Sequence, residues 1–239
     1  MGLDWLEAPS LPADAPVLLI LHTITGTSRD FLALAKDALA RGLRPVVCLR
    51  RGHTGAPLTA PRVNLLGCTA DLRAQVAFVK TRFPSAPILA LGSSAGTGLL
   101  VRYLGEEGAN APVAAAVAVC PGYDTGPGKA FSRFSPSMDA HSLRAIKRFF
   151  LRRHNEPLLR AVAGYADVAG AKSIAAYQEA AYALEGYSSV EELHERTNPM
   201  GVAHDIRVPI CVINAADDPV CSVQARSGGA AMSHGKSVR

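Results

Sequence analysis

Five short runs of almost unbroken apolar residues, PVLLILH (16–22), RPVVCLR (44–50), APILALG (86–92), PVAAAVAVC (112–120) and RVPICVIN (207–214), most constrain what this chain can become. Each is too short for a buried helix and lacks the polar alternation of a strand that faces water on one side. Between the first four lie segments with helical spacing. SRDFLALAKDALARG (28–42) places Phe31, Leu34, Ala35, Ala38 and Leu39 on one stripe and closes on Gly42, and DLRAQVAFVKTRF (71–83) does the same with Leu72, Val76 and Val79. A third helix is expected over 95–107. Fully buried strands alternating with helices of this length predict an α/β fold, a mostly parallel sheet with helices on both faces.

The alternation stops at about Tyr123 and resumes only after Asp205, and the intervening residues read as helical. The 239 residues are therefore expected to form a single domain, 1–239, with a helical lid insertion at 123–205. Hydrophobic residues make up 49% and charged residues 19%, enough apolar surface for a buried sheet and too much for a disordered chain. The net charge of +5 is spread among acidic residues except around 147–153, which argues against a nucleic-acid partner.

The residues at the end of the third run carry the chemistry. LALGSSAGTGLL (89–100) stacks Gly92, Ser93, Ser94, Ala95 and Gly96 where a strand should turn into a helix. Read as G-x-S-x-G, the pattern puts Ser94 at the tip of a sharp turn whose strained backbone tolerates only small neighbours two residues either side. Such a serine is a candidate nucleophile for acyl transfer, and the Ala95 N–H at the helix start is a candidate oxyanion donor. In a doubly wound sheet its partners must come from other loops at the carboxyl edge. HTITGTSRD (22–30) offers the Ile24 N–H as a second oxyanion donor, and AADDPVCS (215–222) offers Asp217 or Asp218 to orient a base. Asp218, bent away by the following Pro219, is the preferred candidate.

RGHTGAPLTAPR (51–62), followed in order by Asp71-Leu72, PSAPILALGSSAG (84–96), YLGEEG (103–108), AKSI (171–174) and VPICVINAADDPVC (208–221), resembles the α/β-hydrolase superfamily. The likeness is to the branch of α/β-hydrolase-domain lipases, phospholipases and related bacterial esterases. The resemblance implies the α/β-hydrolase fold, Ser94 as nucleophile, Asp218 as triad acid, and an ester or acyl-lipid substrate. Two departures stand out. Thr23 occupies a position where the branch commonly has glycine, so its side chain either crowds the oxyanion site or adds a hydroxyl to it. After Asp218 only 21 residues remain, with His234 the one histidine among them, so the final strand and helix are expected to be missing and His234 is the candidate base. That gap also supports an alternative, a catalytically impaired hydrolase-fold protein that binds a lipid or protein partner.

The remaining motifs are quieter. AIKRFFLRRH (145–154) mixes Lys147, Arg148, Arg152 and Arg153 with Phe149, Phe150 and Leu151; it fits either a lid helix with a wet basic face or a peripheral membrane contact. The other histidines, His22 and His53 included, read as structural or solvated. No metal-ligand spacing and no phosphate-binding glycine loop occurs, so neither a metal nor a cofactor is expected. Five cysteines without C-x-x-C spacing, three of them (Cys48, Cys120 and Cys211) in strand-like runs, are expected to be buried reduced thiols. With no signal-peptide pattern and no apolar run long enough to span a bilayer, the chain is expected to be intracellular, either soluble or peripheral to a membrane.

Overall fold

The computed structural model describes residues 2–215 and 218, apart from 8–10, 54, 56, 67, 123, 127, 128, 130–133 and 153. All five apolar runs form strands, and a sixth precedes them. In chain order the elements are β1 (Gly2–Trp5), β2 (Val17–Leu21), α1 (Leu32–Ala40), β3 (Arg44–Leu49), α2 (Thr69–Arg82), β4 (Ile88–Ser93), α3 (Ala95–Glu107) and β5 (Ala115–Val119). Helices α4 (Pro136–Phe150), α5 (Glu156–Leu159), α6 (Tyr165–Gly170), α7 (Ile174–Ala180) and α8 (Val190–Thr197) follow before β6 (Ile210–Ile213).

The sheet order is β1-β3-β2-β4-β5-β6, with β1 antiparallel to β3 and every other pairing parallel. This is the α/β-hydrolase fold. The sequence pattern did not predict β1, because GLDW is short, half-exposed and contains both Gly and Asp, residues depleted in strands. It forms by pairing with β3, and Leu3 and Trp5 pack against the main core.

Two apolar clusters build the interior. The first joins alternate residues of β2 (Val17, Leu19, Leu21) to Leu72, Val76 and Val79 of α2 and to Leu99, Leu100, Tyr103 and Leu104 of α3. The predicted stripe of α2 is thus the face that packs on the sheet. The second cluster joins Leu143, Ile146, Phe149 and Phe150 of α4 to Ile174 and Tyr177 of α7 and to Val63, Leu65 and Leu66 from the loop after β3. Ile24 and Ala95 pack against this second cluster. Helices from the segment between β5 and β6 therefore cover the carboxyl edge of the sheet where both residues sit.

One expectation about the cysteines fails. Cys48 is buried, but Cys120 is half-buried and Cys211 is exposed. Cys211 lies on β6, one of the two edge strands among the described residues, where Ile213 is also 52% exposed, so an apolar run there does not imply burial. All four described cysteines are free thiols; Cys221 lies outside the described residues.

Candidate active site

Strand β4 ends at Ser93 and α3 begins at Ala95, so Ser94 alone makes the turn. Its backbone has φ 51° and ψ −117°, a conformation that L residues rarely adopt and that costs on the order of 1–3 kcal/mol. The surroundings enforce it. The Ser94 N–H donates to the Val119 carbonyl at 2.9 Å, and its own carbonyl accepts from the Thr97 N–H at 2.9 Å. A Cβ on Gly92 would lie 2.7 Å from Thr97 Cα, and one on Gly96 would lie 2.1 Å from the Leu21 carbonyl oxygen. The two glycines of the motif are small because the backbones of α3, β4 and the end of β2 touch at these points.

Asp218 belongs to the same edge. The Cys120 N–H, one residue past β5, donates to the Ile213 carbonyl at 2.8 Å, and the Cys120 side chain is hydrogen-bonded to the Asp218 carboxylate. Burial first, and then that carboxylate, push the Cys120 thiol pKa up. Cys120 also carries a left-handed φ of 49°. Because Val119 receives the Ser94 N–H and the next residue holds Asp218, a short path along β5 links the serine turn to the acid. Asp217 and His234 lie outside the described residues.

The loop after β2 is held from below. His22 Nδ1 donates to the Thr23 carbonyl at 2.7 Å, and the same oxygen accepts the Gly26 N–H at 3.2 Å. The Thr23 hydroxyl sits over Gly26, where a Cβ would be 2.6 Å from it. His53 completes the support: its ring is hydrogen-bonded to the Ile24 backbone, lies 4.6 Å from the His22 ring and stacks on Phe149 at 4.3 Å. Arg50, 3% exposed, donates to the His22 carbonyl at 2.8 Å and to the Leu65 carbonyl at 3.2 Å.

The R-G segment that carries much of the family resemblance therefore has a mechanical role. Arg51 pairs with Asp71, the Leu58 N–H donates to Asn155 Oδ1 at 3.1 Å, and Arg62 Nε donates to the Glu185 carbonyl at 2.8 Å. Glu185 is fully buried and accepts the Leu65 N–H at 3.1 Å. The bonds to Asn155 and Glu185 tie this segment to the helical segment that follows β5, and the Arg51–Asp71 pair ties it to α2. Sequence reading set His53 aside as structural or solvated; the signal available was its place in a loop that begins with two arginines directly after an apolar strand.

Burial foremost, with Arg50 beside both rings, lowers the His22 pKa to about 2 and the His53 pKa to about 3. Both are neutral near pH 7. Between those values and the ordinary 6.5, the unfolded chain binds protons that the folded one does not. Their stabilising contribution is complete above pH 6.5 and is lost as the pH falls toward 3. Glu185 acts in the opposite sense: burial raises its pKa to about 7, so its contribution is complete below 4.5 and lost as the pH rises through about 7. The two histidine shifts are each larger than the Glu185 shift. We expect the thermal midpoint to fall as the pH drops from 6.5 toward 4, and both imidazoles to show no NMR titration between pH 5 and 8. A titration of either ring near its ordinary value of 6.5 would contradict the burial described.

In the segment 145–154, Phe149 and Phe150 face inward, 8% and 0% exposed. Lys147 Nζ is bonded to the Ala169 and Ala171 carbonyls, each at 2.7 Å. Among the described residues no helix is long and apolar enough to cross a membrane.

Known proteins are similar to this chain in sequence and in fold. The chain is 30% identical to human Protein ABHD15 over 92% of its own length and 49% of that protein's. It is 29% identical to Phospholipase ABHD3 of Mus musculus, over 91% of this chain and 55% of that protein. The chain thus spans about half the length of these relatives. Among solved structures, the esterase RhEst1 from Rhodococcus sp. ECU1013 superposes with a TM-score of 0.55 at 22% identity, covering 94% of this chain and 80% of that one. Residues 13–237 match the family described as serine aminopeptidase, S33. With its parallel sheet and that match over most of its length, the chain belongs to the serine aminopeptidase S33 family of hydrolases, on the lipase and esterase branch of the α/β-hydrolase superfamily.

Proposed function

We propose that this protein is a serine hydrolase that cleaves carboxylic esters, with acyl lipids as the substrate class, through an acyl-Ser94 intermediate. The observation that carries the reading is the strained backbone of Ser94 between β4 and α3, held by the close approach of Gly92 and Gly96 to neighbouring backbone. A turn under that much constraint keeps one hydroxyl at the sheet edge, where a nucleophile is useful and a core residue is not. The relative named as a phospholipase supports the substrate class.

In this mechanism a histidine base, assigned to His234, takes the Ser94 Oγ proton as Oγ bonds to the ester carbonyl carbon. Asp218 orients the imidazole, and the Ala95 and Ile24 N–H groups stabilise the oxyanion. Collapse of the tetrahedral intermediate breaks the carbon–oxygen bond, and the alcohol leaves with the proton returned by the base. Water then attacks the acyl-serine by the same route and releases the carboxylic acid. The helices between β5 and β6 act as the lid that shapes the acyl site. A peripheral contact of 145–154 with anionic lipid rests on its cations, since the phenylalanines of α4 are buried.

Hydrolysis of a short p-nitrophenyl ester tests the proposal, first with the chain as it stands and then with His234→Ala. Turnover that collapses in the variant to roughly 10³- to 10⁴-fold above the uncatalysed rate, the level left when a triad lacks one member, supports the full assignment. Turnover unchanged in His234→Ala moves the base elsewhere. No hydrolysis by either protein counts against the proposal and favours the alternative, a hydrolase-fold protein that binds a lipid or protein partner.

A further inference from the structure

An opening of ligand size lies away from Ser94. A cavity of about 770 Å³ lies on the far side of His53, between β1, the loop after β3 and the end of α4, and neither Ser94, Ala95 nor Ile24 lines it. Its volume is that of a small-molecule site. Leu49, Leu58 and Phe149 give it apolar wall, and Thr59 and Arg152 give it polar wall.

Its charged residues differ in what they are bonded to. Arg51 is paired with Asp71, and the exposed Asp4 carboxylate accepts a hydrogen bond from the Ser28 hydroxyl. Arg152 is half-buried, and among the described residues no carboxylate lies within ion-pair distance of it. Its guanidinium sits 5.5 Å from the centroid of Phe149, a cavity wall, and one of its nitrogens would be only 3.9 Å from a Cβ on Gly55, which also lines the space. A guanidinium partly withdrawn from water, set against an aromatic wall and with no carboxylate in ion-pair distance among the described residues is a fork for an anionic oxygen pair.

We infer that this cavity is a second ligand site, separate from Ser94, for a small amphiphile with an anionic head: Arg152 takes the head and Leu49, Leu58 and Phe149 take the apolar chain. A carboxylate and a phosphate monoester share that chemistry. The site also touches the reaction machinery indirectly, because His53 forms part of its wall and is hydrogen-bonded to Ile24.

Calorimetric titration of the full chain with octanoate, octyl phosphate and octanol tests the assignment. At least one of the two acids should bind roughly ten- to hundredfold more tightly than octanol, the factor that one charge-assisted hydrogen bond supplies, and which acid it is identifies the head group. Arg152→Gln should abolish the preference for the acid, Arg152→Lys should keep only part of it, because an ammonium supplies the charge without the planar fork, and Ser94→Ala should leave it unchanged. The inference is overturned if neither acid outcompetes octanol, if the preference survives in Arg152→Gln, or if Ser94→Ala removes it, which would place the acid at Ser94. Should Arg152→Gln fail to fold, the salt dependence of acid binding to the unaltered chain decides: affinity that does not weaken as salt rises also overturns it. None of these readings depends on ester turnover, so they stand or fall apart from the proposed reaction.

Discussion

Replacing Ser94 by alanine should lower ester turnover by roughly 10⁴- to 10⁶-fold, the range seen when a hydrolase loses its nucleophile and keeps only binding and oxyanion stabilisation. The substitution leaves the fold alone, because alanine meets the same φ of 51° that serine already endures. Ser94→Gly separates the two properties further. Glycine adopts positive φ without steric cost, so that variant should be as inactive as Ser94→Ala yet more stable, by about 1–3 kcal/mol in denaturant unfolding. A fluorophosphonate probe should label Ser94 and no other serine, its neighbour Ser93 included. Label found on Ser93, or a Ser94→Ala protein that still turns over ester, would end the assignment.

Gly96→Val should unfold the protein more easily by a few kcal/mol, on the order of 3, and should abolish turnover in whatever remains folded. The reason is a collision with backbone. A Cβ at Gly96 would stand 2.1 Å from the Leu21 oxygen and 2.8 Å from the His22 oxygen. Neither can swing aside, since Leu21 is hydrogen-bonded in the middle of the sheet and the His22 carbonyl is clamped by Arg50. Relief would have to come from moving α3 off β2, which carries Ser94 away from Ile24. Gly98 supplies the control. A Cβ there would meet nothing closer than Pro199 Cγ at 4.0 Å, so Gly98→Ala should be neutral or stabilising by up to about 1 kcal/mol, the helix-propensity gain. Equal melting temperatures for Gly96→Val and the parent chain would show that the contact is not tight.

The parts of this molecule that were legible in its sequence are those determined by nearby residues. Five of the six strands announce themselves as apolar runs, α3 starts and ends where its sequence implies, and the small residues around Ser94 foretell the strained backbone found there. What escaped is long-range. Strand β1 owes its existence to β3, some forty residues away, and Cys211 is exposed because of where its strand falls in the sheet order. The support beneath Ile24 joins His53 to Phe149, and Leu65 to Glu185 across 120 residues, and no local pattern encodes such pairings. The seating of Asp218 on Cys120 is of the same kind.

Helix α3 is gripped at both extremities by main chain. Gly96 abuts Leu21, and near the other end a Cβ on Gly105 would be 2.2 Å from the Val202 oxygen, in the turns that lead into β6. The helix thus behaves like a strut bolted at two points, and the bolts are carbonyl groups that every amino acid possesses. Divergence elsewhere in α4–α8 can therefore remodel the space above the serine turn without loosening its mounting. Such a layout lets the covering helices change their side chains while Gly96 and Gly105 keep α3 seated.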